Sequence, residues 1–120
     1  MDSFKILVAF AVALTLPGCH SAYISATISN QTAETLSLIE VDYPSASCGT
    51  QSLAPGQVFH YRFKVLGDGP TTVLWTKAAA PDRKSSGPAL HEGDEGKLDI
   101  TFNPGAGPVW RLQLVNRPTN

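Results

Sequence analysis

Residues 22–115 predict an all-β domain, an antiparallel β-sandwich of about seven strands. Three observations carry that expectation. Apolar residues recur at every second position, turns rich in Gly and Pro separate these runs at roughly 8–15-residue intervals, and no helical period appears after residue 18.

The first strand starts near Ala22, where Ile24, Ala26 and Ile28 share one face and Ser25, Thr27 and Ser29 the other. Such alternation marks a strand with one face in a core and one in water. Asn30-Gln31-Thr32 reads as a turn, and Leu36 to Tyr43, rich in β-branched and aromatic residues, as a second strand. Pro44 to Thr50, full of Ser, Ala and Gly, reads as a loop carrying Cys48. Ala54-Pro55-Gly56-Gln57 is a turn, because Pro presets φ and Gly accepts positive φ.

The next strand has the cleanest alternation, with Phe59, Tyr61, Phe63 and Val65 against His60, Arg62 and Lys64. Gly67-Asp68-Gly69-Pro70 ends it, and Thr71 to Thr76 resumes as a strand around Val73 and Trp75. Residues 79–89 are too polar and broken for a helix; they suit a hairpin tip or loop with a short strand near Lys84–Ser86. After the turn His91–Gly96, Leu98, Ile100 and Phe102 alternate with Lys97, Asp99 and Thr101. Asn103 to Pro108 then leads to a last strand, where Trp110, Leu112 and Leu114 alternate with Arg111 and Gln113. Residues 116–120 form a polar tail expected to fray. The arrangement expected is immunoglobulin-like or related, without the Cys–Trp–Cys signature of true immunoglobulin domains.

Ahead of this domain, Lys5 supplies a charge, Ile6 to Leu16 is almost wholly apolar, and Leu16-Pro17-Gly18-Cys19 closes the run. Charged, apolar and small-residue parts in that order make a secretory signal peptide, expected to be helical, over 1–18. The apolar run is about eleven residues, short of the roughly 20 that cross a hydrocarbon core, so a spanning anchor fits less well. An ordinary cleaved signal is the alternative. The Leu16–Cys19 segment resembles the lipobox of bacterial lipoproteins, with Pro17 an unusual residue in it. That resemblance implies cleavage between Gly18 and Cys19, acyl chains on Cys19, and a short lipidated anchor over 19–21. It also implies the periplasmic face of the outer membrane, since His20 stands where a retention signal would place Asp.

Without residues 1–18 the chain would hold 120 − 18 = 102 residues, the size of one domain. Its 8 Lys and Arg against 9 Asp and Glu leave a formal charge of −1, which argues against a nucleic-acid partner. With Cys19 lipidated, Cys48 is a lone thiol. It reads as a small apolar core residue, or as a redox or metal ligand with His60 and His91. Neither zinc nor blue copper is favoured, because the three lack ligand spacing, so no metal and no cofactor is expected. Ser47-Cys48-Gly49 sits in no strand-turn-helix nucleophile elbow, and Glu92, Asp94 and Glu95 lie in a turn where charges usually meet water. No catalytic residue is assigned and the protein is not expected to be an enzyme.

The candidate binding face is His60, Arg62 and Lys64, which point the same way at alternate positions of one strand. Such a face would meet lipid A phosphates, peptidoglycan carboxylates or an acidic partner. Equally, it would be a solvated sheet surface paired with Asp99 or Glu40. Ile39–Ser47, Gly49–Gly56, Phe59–Lys64 and Gly93–Gly96 together are similar to small uncharacterised lipoproteins of acidobacterial type, a resemblance that brings no site residues with it. The function expected is an exported, lipid-anchored envelope protein with a binding or structural role and an envelope protein as a possible partner. The alternatives are a small protease inhibitor or chaperone-like module using loop 79–89, and a redox or metal protein using Cys48.

Overall fold

The computed structural model describes residues 21–77 and 80–115. The signal segment, Cys19 and the 116–120 tail lie outside the described residues. Eight strands build the domain: β1 (Ile24–Asn30), β2 (Leu36–Tyr43), β3 (Ala46–Leu53), β4 (Val58–Phe63), β5 (Thr72–Lys77), β6 (Arg83–Ser86), β7 (Gly96–Phe102) and β8 (Val109–Leu114). They form two four-stranded sheets, β4-β1-β7-β8 and β3-β2-β5-β6. The protein is an all-β sandwich.

The inner faces follow from the alternation. Ile24, Ala26 and Ile28 of β1 meet Val41 of β2, Val73 of β5, and Leu98 and Ile100 of β7 in one core. Each large aliphatic side chain buried there contributes roughly 1.5–3 kcal/mol of transfer free energy. Trp75 packs edge-on to Phe102 with ring centroids 5.0 Å apart, linking the sheets at one end.

Three features differ from the sequence expectation. The segment read as a loop around Cys48 is β3, an eighth strand joined to β2 by a tight hairpin in which Tyr43 faces Ala46. Pro44 and Ser45 make that turn, with Ser45 at a φ of 80°, following the pattern of Pro and then a positive φ. Secondly, β1 and β7 run parallel, so the first sheet is mixed rather than wholly antiparallel. With four strands in each sheet and that parallel pair, the arrangement differs from the constant-type immunoglobulin set. Thirdly, Asn30, read as the first residue of a turn, is the last residue of β1 and fully buried.

A bulge breaks the β2–β5 register between Ser37 and Glu40. Leu38 turns outward there with a φ of 50° and 64% of its surface exposed. On the neighbouring strand, a methyl group at Gly49 would collide with the Ile39 carbonyl oxygen. The bulge and the glycine therefore belong together.

Candidate functional site: the outer face of the β1-containing sheet

Strand β4 is an edge strand, and its pairing with β1 sets the candidate site. Arg62 lies opposite Ser25, His60 opposite Thr27, and Phe63 opposite Ile24. His60, Arg62 and Lys64 are all exposed, as the alternation predicts. His60 is tied to β1 by a 3.3 Å contact between its Nδ1 and the Thr27 hydroxyl. The Arg62 guanidinium lies 4.2 Å above the centre of the Tyr23 ring. Cation–π contacts of this kind hold a guanidinium in place at an exposed site for about 0.5–1 kcal/mol. Lys64 lies just beyond the end of β4.

The register extends this surface further than the sequence indicated. Ser25 is also opposite Lys97 of β7, and Thr27 is opposite Asp99, which faces Arg111 of β8. One transverse row thus reads Arg62-Ser25-Lys97-Gln113 and the next His60-Thr27-Asp99-Arg111. Arg62, Lys97 and Arg111 outnumber Asp99 on this face. Lys97 and Arg111 carried a sequence signal, since both alternate with core residues, but only the pairing of β1 with β4 and β7 puts them beside Arg62.

Of the two carboxylates considered as partners, Asp99 does share the face. Glu40 does not: it lies on β2 of the other sheet, opposite Gly49 and Leu74. There the hydrogen bond and negative charge of Asp42 push the Glu40 carboxyl above its ordinary pKa. The second sheet's outer surface therefore carries an acidic pair.

The aromatic side of β4 is more open than an ordinary inner face. Tyr43 stacks on Phe63 at 3.8 Å, and Phe59, Tyr61 and Phe63 form a ladder with centroids 6.5 and 6.4 Å apart. Phe63 is buried, but Tyr61 keeps 40% of its surface exposed, because β4 has no neighbour on its outer edge. Burial, and then the neighbouring Tyr61 and Cys48, push the Tyr43 phenol up to about 12.

Cys48 points into the core beside β2 and is 8% exposed. Burial first, and the Asp42 charge second, push its thiol up to about 11. Cys48, His60 and His91 lie on β3, on β4 and in the β6–β7 connection; among the described residues no three of His, Cys, Asp and Glu lie close enough to share a metal ion. The Glu92–Glu95 turn is held by its own carboxylates. Glu92 Oε1 accepts from the Gly67 N–H at 3.0 Å, and Asp94 Oδ2 accepts from the His91 N–H at 2.8 Å. Within segment 79–89, Arg83–Ser86 is the edge strand β6 paired to β5.

No family model matches the chain, and no curated protein does. Among solved structures it is similar to the NMR structure of the protein from Eubacterium rectale, at 12% identity and a TM-score of 0.54, over 78% of this chain and 91% of that one. That likeness supports the sandwich fold and nothing finer.

Proposed function

We propose that this protein is an exported envelope lipoprotein with a binding role, held by acyl chains on Cys19, whose basic sheet face meets the phosphates of lipid head groups. The observation that carries the reading is one of placement. The β1–β4 and β1–β7 registers put Arg62, Lys64 and Lys97 at the end of the sheet where β1 begins, beside Tyr23. Cys19 precedes Tyr23 by four residues, a reach of at most about 14 Å at roughly 3.3–3.6 Å per residue. A domain tethered so closely keeps this corner within reach of the bilayer surface.

Acyl chains supply the attachment, at about 0.8 kcal/mol per buried CH₂, with two or more chains needed for stable anchoring. The cations add orientation, each worth about 1 kcal/mol near an anionic surface and attenuated by salt. The periplasmic face of the outer membrane is the proposed location, and the protein acts by presentation rather than catalysis.

Two measurements test this. Palmitate labelling of the full chain in cells should give a lipid adduct that Cys19→Ser abolishes; an unlabelled wild-type chain would end the anchor reading. Independently, the full chain carrying Cys19→Ser should bind vesicles containing anionic lipid in a salt-sensitive way. Arg62→Gln, Lys64→Gln and Lys97→Gln together should remove most of that binding. Unchanged binding in the triple variant would refute the role of the face.

A further inference from the structure

At the opposite end of the sandwich, where β1 finishes, a cleft of about 330 Å³ opens between the two sheets. Its position follows from the strand registers: Leu36 at the start of β2 faces Lys77 at the end of β5, and Trp75 faces Arg83 at the start of β6. Leu36, Trp75 and Phe102 form the apolar floor, with Trp75 set edge-on to Phe102. Lys77 and Arg83 stand on the side of the second sheet, and the Gly105–Gly107 backbone of the β7–β8 turn closes the other. Two cations and no carboxylate are found among the described lining residues. The volume is within the range of small-molecule sites, and an apolar base with a few convergent polar groups is their usual make-up.

We propose that this distal cleft binds a small carboxylate with an aromatic or aliphatic body, its carboxylate on Arg83 and Lys77 and its body over Trp75 and Phe102. Arg83 is the stronger partner of the two, since a guanidinium presents a planar fork matched to a carboxylate. It is exposed on an edge strand and cross-strand to Trp75, so its charge sits above the aromatic floor. Lys77 is held in reserve by Glu34, whose Oε1 lies 3.8 Å from its Nζ. An exposed pair of this kind is weak, so a ligand carboxylate displaces Glu34 at little cost. The cleft shares no residue with the basic face, and it stands or falls separately from the membrane reading.

Photoaffinity labelling tests the site on the full chain in the cells that express it. A diazirine-bearing phenylbutyrate should crosslink within the Trp75–Lys77 and Phe102–Gly107 segments, competed by phenylbutyrate and by octanoate but not by the neutral amide of phenylbutyrate. Arg83→Gln should weaken labelling at least tenfold, Arg83→Lys less. Glu34→Gln, which frees Lys77, should strengthen it about two- to fivefold, the equivalent of an exposed ion pair. A circular-dichroism melt shows whether each variant is folded, and Glu34→Gln tests the idea even where Arg83 variants do not fold. Labelling confined to other segments, no saturable labelling with either acid competing, or equal competition by the neutral amide would overturn the proposal.

Discussion

Replacing Asn30 by Ala should be among the most damaging single changes outside the aliphatic core. Asn30 ends β1 fully buried, and its amide is used completely. Nδ2 donates to the Leu53 carbonyl and to the Glu34 carbonyl, each at 2.8 Å, while Oδ1 accepts from the Thr32 N–H at 2.9 Å and from the Thr32 hydroxyl at 2.6 Å. One side chain thus joins the end of β1, the β1–β2 crossover and the end of β3. The Leu53 bond is buried and the others are partly buried. Truncation strands the Leu53 carbonyl at about 1–3 kcal/mol, and loses about 1 kcal/mol each at Glu34 O and Thr32 N, giving about 3–5 kcal/mol in all. Urea unfolding should show the midpoint falling with an unchanged slope, and the melting temperature should drop by about 12 °C or more for a domain of this size. Asn30→Asp provides the control. It keeps the acceptor but sets a carboxylate oxygen against two carbonyls, so it should be no better than Ala at neutral pH and should improve as the carboxyl protonates. A loss below about 1 kcal/mol for Asn30→Ala would refute the reasoning.

Three further outcomes are expected. Gly87→Ala should destabilise the domain by about 1–3 kcal/mol, because a methyl group there collides with the Trp110 ring; a shifted tryptophan emission maximum would report the displaced ring, and an unchanged spectrum and melt would count against it. Iodoacetamide at pH 8 should alkylate Cys48 at least tenfold faster in the urea-unfolded chain than in the native one, since burial removes access and lowers the thiolate fraction by pushing its pKa from 9.0 to about 11. Equal rates would place the thiol at the surface. Finally, Cys48 and Tyr43 both hold their protons more tightly in the folded state than in the unfolded one. The stability linked to them is therefore intact below the unfolded values of 9.0 and 10.0, and is lost as pH rises towards about 11 and about 12. Cys48→Ala with Tyr43→Phe should flatten that alkaline decline; an identical pH profile in the double variant would reject the assignment.

What could be read from the sequence was set by local chemistry. Strands β1, β4, β7 and β8 announce themselves because each contains a run of alternating apolar and polar residues: Ile24–Ser29, Phe59–Phe63, Lys97–Phe102 and Trp110–Leu114. Strand β3 gives no such signal. Of Ala46–Leu53 only Cys48 and Leu53 are buried, and the rest is Ala, Ser, Gly, Thr and Gln, which by composition suits a loop. It is a strand because β2 offers a ready partner through the Pro44-Ser45 turn, a tertiary effect overriding weak propensity. His60, Arg62 and Lys64 were legible as one face because they lie on one run of chain. Lys97 and Arg111 joined them only through inter-strand register, which depends on which strands become neighbours. The parallel β1–β7 pairing and the distal cleft belong to the same category. The cleft draws on β2, β5, β6 and the β7–β8 turn, and nothing in any one segment marks it.

The direction of β1 is what gives the two ends of the molecule different tasks on this reading. The strand starts at Ile24, close to the proposed anchor, and reaches the cleft end at Asn30, six residues later, a span of about 20 Å at roughly 3.3 Å per residue. That is more than twice the Debye length of about 8 Å at physiological ionic strength, so charge at the corner proposed to face the membrane is largely screened from Arg83 and Lys77. Mechanical coupling along β1 is also closed. Sliding the strand by one residue would turn Ile24, Ala26 and Ile28 out of the core, and sliding it by two would pull Asn30 from its four hydrogen bonds. A rigid strand between two screened sites makes a spacer. Under the proposed anchoring at Cys19, attachment at one end would point the proposed cleft away from the bilayer without altering how tightly it binds.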